Sequence, residues 1–193
     1  MKQLRTARIF AALITVLFAG LATADDAIDE IVVTADFRER PAQEIATSVT
    51  VLGGDFIREA AQQHFEELVN TVPNLNWSGD GHRARYFQIR GIGELEQYEG
   101  APNPSVGFLI DDIDFSGIGT VATLFDMESV EVLRGPQGSR YGANALAGLI
   151  YMRSETPSAE RDGRLKFTVG DDDARGIGMA FGGALDDDER LLF

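Results

Sequence analysis

V-E-V-L-R-G-P-Q-G-S-R-Y-G-A-N-A-L-A-G, residues 130–148, is the stretch whose reading decides the fold of this chain. Val130 and Val132 alternate with Glu131 and Leu133 as in a short strand, and Gly135, Pro136, Gly138 and Gly142 then interrupt regular structure. A strand running into a tightly folded loop is expected. The apolar run at 149–152 follows closely enough to lie beside the first strand, so the glycines mark places where the backbone bends or packs closely. By residue type alone, an ordinary loop between two strands reads the same way. Two nucleotide-binding patterns fail. The loop lacks the G-K-[ST] ending of a P-loop, and Gly91-Ile92-Gly93 is followed by Glu96 where the dinucleotide fingerprint needs its third glycine.

Working outward, the 193 residues are 44% hydrophobic and 25% charged, which suits one globular domain with additions. A net charge of -14 argues against nucleic acid as a partner, because phosphates need a basic surface. The chain has no cysteine and only two histidines, so a disulfide framework is excluded and a zinc site is not expected. Lys2, Arg5 and Arg8 precede an apolar run at 9–21, and Ala22-Thr23-Ala24 offers the small residues that a signal peptidase accepts. The uncharged stretch at 9–24 is shorter than the ~20 residues needed to span a bilayer, so a cleaved secretory signal peptide is the reading. The mature chain would begin at Asp25 with 14 basic and 31 acidic residues, a net charge of -17.

Residues 28–35 read I-D-E-I-V-V-T-A and favour an extended chain. An internal edge strand is one account. The adjacent free N-terminus and the polar segment 36–44 with its Pro41 support another, a mobile arm that offers backbone hydrogen bonds to a partner sheet. From Thr47 the pattern is globular: a strand at 48–52, then a helix opened by Gly53-Gly54-Asp55, with Asp55 as N-cap, running to about Gln62. Phe65, Leu68, Val69 and Val72 recur with the spacing of a second helix whose stripe is core, and Pro73 stops it. In 85–90, Phe87 and Ile89 share one face of a strand that ends in I-R-G at 89–91. The long segment 91–104, with Glu94, Glu96, Gln97, Tyr98 and Glu99, fits a solvated acidic loop and a binding loop equally. Another buried strand is expected at 106–110, followed by Asp111-Asp112.

Catalytic readings fail on order and spacing. Ser139 in G-S-R-Y-G is not a nucleophile elbow, and His64 and His82 both precede it. The acidic run at 171–173 would place Arg175 and Gly182 at the fifth and twelfth positions of a calcium loop, where a ligand and a glutamate are needed. No catalytic residue, cofactor or metal site is expected. After Pro157, Leu165, Phe167 and Val169, then Ile177, Met179 and Phe181, alternate with polar or small residues around a turn at 170–173; a second turn at 185–190 leads into Leu191-Leu192-Phe193. Transmembrane barrel strands read this way, as does a soluble hairpin.

V-E-V-L-R-G-P-Q-G followed by Y-G-A-N-A resembles the signature that closes the plug domain of TonB-dependent outer-membrane receptors. I-R-G, the S-V-G-F-L-I-D strand at 105–111 and the barrel-like strands fall in the same order. Two departures are Asp112, where the family's turn has glycine, and Ala147-Gly148, where it usually has two glycines. The resemblance implies an N-terminal fragment of such a receptor with an α+β fold: a plug domain with a small mixed β-sheet and short helices, followed by the first antiparallel strands of a truncated transmembrane β-barrel. Its parts would be a signal peptide (1–24), a TonB box with periplasmic linker (25–46), the plug (47–157) and the start of the barrel (163–193). It implies that Ile28, Asp29, Glu30, Ile31, Val32, Val33, Thr34 and Ala35 bind TonB in the periplasm, and that Arg90 and Arg134 face barrel glutamates. Glu94, Glu96, Tyr98 and Glu99 are expected at the outward apex, facing a small-molecule ligand. In the family this is most often a ferric siderophore, although these carboxylates would repel a purely anionic one. The other partner is outer-membrane lipid around the barrel, and the work is transport, not catalysis. A stand-alone secreted plug-like binding module without a barrel is the alternative.

Overall fold

The computed structural model describes residues 32–34, 40–41, 44–79, 81–96, 103–171, 173–185 and 192. The signal-peptide reading, residues 28–31 and 35, Tyr98 and Glu99 lie outside the described residues. So do 186–190 of the second turn.

Strand β1 (Val32–Val33) pairs antiparallel with β2 (Arg40–Pro41). The β-branched run in β3 (Ser48–Gly53) passes without a loop into α1 (Gly54–Ala60). Because β3 runs to Gly53, that residue is the N-cap, and Asp55, expected to cap, lies in the first turn. There its charge favours the helix dipole and pairs with Arg58. Ala61 turns left-handed, φ 54°, and ends the helix short of Gln62. Phe65–Thr71 is a 3₁₀ helix, not an α-helix. The Phe65 N–H is drawn to the Ala122 carbonyl, and the Thr71 hydroxyl donates to the Leu68 carbonyl three residues back. The expected apolar stripe of Phe65, Leu68, Val69 and Val72 is nonetheless buried.

β4 (Leu75–Ser78) and β5 (Tyr86–Ile89) form a hairpin. β6 (Val106–Ile110) turns through Asp111 and Asp112 into β7 (Ile113–Asp114). Both aspartates are left-handed, φ 49° and 66°, the primed-turn geometry that glycine and Asp tolerate best. Their carboxylates brace the turn: Asp111 accepts from the Ser154 N–H and hydroxyl, and Asp112 from the Tyr151 hydroxyl. Asp112 therefore serves where the family's turn has glycine.

The decisive stretch forms β8 (Met127–Arg134), a short α2 (Gly138–Tyr141), a 3₁₀ turn at Gly142–Asn144 and β9 (Gly148–Ser154), which lies antiparallel to β8. The described strands of the main sheet run β3-β8-β9-β6-β7, with β6 and β9 parallel and the other neighbours antiparallel. This is the small mixed sheet with short helices expected of a plug. Alternation divides its side chains. Val130, Val132, Ile150, Met152 and Phe108 join the core beneath α1 and the 3₁₀ helix, while Leu133, Leu149, Tyr151 and Leu109 pack on the opposite face. A side chain added at Gly148 would collide with the Leu133 carbonyl and Ile89 Cδ1. Ala147 is accommodated and buried, so only the second position of the pair requires glycine.

Beyond a linker, β10 (Asp162–Val169) and β11 (Arg175–Gly182) form the expected antiparallel hairpin. Leu165, Phe167, Val169, Ile177, Met179 and Phe181 are 56–84% exposed on one face. The opposite face turns to the plug: Gly178 lies against the Phe125 ring, and Lys166 Nζ donates to the Gln62 carbonyl at 3.5 Å. Leu192 forms a bridge with Ala184.

Candidate functional site

The I-R-G and L-R-G arginines come together. Arg134, at the end of β8, donates to Ser48 Oγ at 3.2 Å and to Thr50 Oγ1 at 2.6 and 2.8 Å, all neutral acceptors. Arg90 follows β5 in a left-handed conformation, φ 54°, with its N–H on the Asn74 carbonyl at 2.9 Å. Burial, and then the nearby Arg90 charge, lower the Arg134 pKa. Two cations close enough for one to feel the other's charge attract an acidic partner, and a guanidinium fork suits a carboxylate.

The outer-loop residues divide. Glu94 was expected to face ligand, but it closes the base of its own loop. Its carboxylate accepts from the Ser105 N–H at 2.9 and 3.0 Å and from Ser105 Oγ at 2.7 Å. Its carbonyl accepts from Gln88 Nε2 at 2.6 Å and Ser78 Oγ at 2.9 Å. The physical reason is that the loop leaves β5 and returns to β6 beside it, so unpaired backbone and hydroxyl donors at its foot attract the nearest carboxylate. Glu96 is exposed. Nearby stands a pair that sequence reasoning missed: the Arg85 guanidinium lies 5.3 Å from the Tyr86 ring centroid and donates to the Gly117 carbonyl at 3.3 Å. The available signal was their place at the mouth of a strand whose inward positions are Phe87 and Ile89.

The described part of the 28–35 segment departs from the mobile arm expected outside the folded domain. Val33 and Glu131 are both 0% exposed. One oxygen of Glu131 accepts from the Thr34 N–H and from Thr34 Oγ1, each at 2.7 Å. A carboxylate on this inner strand needs donors if it is to be buried, and the arm supplies them. Tyr141 belongs to the same face. Burial, then the charges of Asp112 and Glu131, push its hydroxyl up to about 12.

A second contact missed from sequence joins plug and hairpin. Arg164 of β10 reaches Asp126 Oδ1 at 3.0 Å and Glu155 Oε1 at 3.3 Å, and Arg58 of α1 meets the same Glu155 oxygen at 3.1 Å. Asp126, Glu155, Arg164 and Phe181 line a cleft of about 260 Å³ there. Arg58 and Glu155 are 97 residues apart and Arg164 and Asp126 are 38 apart, separations that carry no local signature.

Residues 41–149 match the family model "TonB-dependent Receptor Plug Domain". The pesticin receptor of Yersinia pestis is 29% identical over 146 residues, covering 75% of this chain and 21% of the receptor. The vitamin B12 transporter BtuB of Vibrio vulnificus is 30% identical over 152 residues, covering 75% of this chain and 23% of the transporter. The crystal structure of the ferric yersiniabactin uptake receptor FyuA from Yersinia pestis superposes with a TM-score of 0.63 at 26% identity, covering 73% of this chain and 22% of that one. The chain thus spans between a fifth and a quarter of the length of these relatives. The family match runs from β2 to the start of β9, taking in both I-R-G and L-R-G arginines and the loop after β8, and this chain belongs to the TonB-dependent receptor plug-domain family.

Proposed function

We propose that this chain is the N-terminal part of a TonB-dependent outer-membrane transporter that takes up a scarce nutrient, a ferric siderophore or a similar chelate. The observation that carries this reading is the hairpin. Its large apolar side chains face away from the plug while Arg164 and Lys166 on the other face hold it, the polarity of a barrel strand around a filled lumen. The relatives support a transport role in place of catalysis. In this reading residues 1–24 are the signal peptide, 25–46 the box and linker, 47–157 the plug, and 163–193 the first barrel strands. TonB takes residues 28–35 in the periplasm by strand addition. Arg90 and Arg134 meet barrel carboxylates, and Glu96, Tyr98 and Glu99 face the ligand, with Glu94 shaping their loop.

The test uses the complete gene. Ile31→Pro removes a backbone donor and restricts the preceding residue, so energised uptake of a ferric chelate should be lost while binding at the cell surface persists. Ile31→Thr keeps β-propensity and should transport. Loss of binding in parallel with uptake would overturn the box assignment, and a stop codon directly after Phe193 would favour the secreted module.

A further inference from the structure

We infer that the plug carries a docking surface for β10–β11, that the hairpin settles on it before the remaining barrel strands close, and that Gly178 is the positioning residue of this seat. The surface and its occupant stand on the contacts alone; the order of closure rests on the transporter reading above.

The contacts fall on two successive plug-facing rungs of the hairpin. On the rung that pairs Lys166 with Gly178, Lys166 Nζ donates to the Gln62 carbonyl and the Phe125 ring lies over Gly178. On the rung that pairs Arg164 with Ala180, the guanidinium reaches Asp126 and Glu155. The plug's share of the surface is itself tied together, since the Leu124 N–H donates to the Gln63 carbonyl at 3.0 Å. The ion pairs are about a third exposed and add little, so the fit at Gly178 decides. A Cβ there would stand 2.7, 2.9 and 3.0 Å from three atoms of the Phe125 ring. At Gly176, next on the same face, the nearest atom is Thr168 Cβ at 3.5 Å, within the hairpin itself. Glycine weakens a strand interior, and at 178 the close approach of the ring accounts for it. Only residues 155–161 separate β9 from β10. Closing so short a loop costs less chain entropy than joining the first barrel strand to the last, so docking precedes closure.

Lys166 is the only lysine between residues 25 and 193, so a single cysteine makes the test specific. In an otherwise cysteine-free full-length receptor, Gln62→Cys, whose carbonyl alone makes the contact, carries a short maleimide linker with an amine-reactive end. The receptor refolds from urea into detergent micelles and is sampled as the heat-modifiable form accumulates. Joining of residues 62 and 166 should appear in the heat-unmodifiable species, before closure. Gly178→Val should lower that early joined fraction about tenfold, the scale of an overpacked contact. Gly176→Val makes the same change in strand propensity and should behave as the unaltered protein. Joining that appears only with the heat-modifiable form would overturn the order of assembly, and equal joining in the two valine variants would overturn the seat. Early joining that Gly178→Val removes, with no heat-modifiable form of any variant in micelles or in outer-membrane fractions, would uphold the seat and overturn the transporter reading.

Discussion

Leu165→Arg separates a barrel strand from a soluble hairpin by the sign of its effect. Leu165 is the fourth of eight residues in β10, pairs with Met179 and is 56% exposed. In water, replacing an exposed leucine by arginine away from any polar network changes stability by about ±0.5 kcal/mol. On the lipid face of a barrel near the bilayer midplane the same change costs about 2–4 kcal/mol, because the guanidinium must snorkel or draw water into hydrocarbon. At about 1.4 kcal/mol per factor of ten, the assembled fraction at equilibrium falls roughly 30- to 700-fold. The assay is the yield of heat-modifiable, membrane-integrated full-length receptor in outer-membrane fractions. Thr168→Arg is the control, since Thr168 lies on the plug-facing side of the same strand. Arg at 168 should assemble and Arg at 165 should not. Equal yields for the two would refute the lipid-facing assignment and with it the transporter reading.

Gly148→Ala forces a methyl group against the Leu133 carbonyl and Ile89 Cδ1, so the plug should lose about 1–3 kcal/mol, read as a lower denaturation midpoint; Ala147→Gly should cost less than this. A double-mutant cycle of Arg164→Met and Glu155→Gln should give a coupling of about 0.2–1 kcal/mol that shrinks in molar salt, because these side chains are about a third exposed. The Tyr141 hydroxyl is raised from 10.0 to about 12 in the folded chain, so the unfolded chain loses its proton first. Stability from this group should hold below pH 10.0 and decline as pH climbs towards about 12, and Tyr141→Phe should flatten that part of the urea-midpoint profile.

Repetition along the chain was legible; pairing across it was not. The alternation of Val130 and Val132 with Glu131 and Leu133 announced β8, and the stripe of Phe65, Leu68, Val69 and Val72 announced a buried helical face. The same stripe does not distinguish an α-helix from a 3₁₀ helix, since residues three and four apart fall on neighbouring positions of both, and the bond from the Phe65 N–H to the Ala122 carbonyl that anchors its start is tertiary. Glu131 and Thr34 are 97 residues apart. In sequence Glu131 therefore reads as the solvent side of a half-buried strand, and Thr34 as one more residue of an extended arm. Glu94 misled for a related reason. An acidic loop residue looks outward until the donor at Ser105, 11 residues on, claims its carboxylate.

The candidate sites share one strand. At its start, Asp126 just before β8 holds Arg164 of the hairpin; at its middle Glu131 holds the arm; at its end Arg134 lies beside Arg90. From Ser129 to Arg134 the strand is paired on both edges, by β3 and β9, so it resists local opening. The arm is attached through Val33, Thr34 and a two-residue pairing with β2. A pull on the arm must therefore free Thr34 from Glu131 before it can separate β8 from its neighbours. The order of events under force follows from that difference. The arm should detach first, the carboxylate it leaves should gain water through the vacated face, and the sheet with its two arginines should yield later.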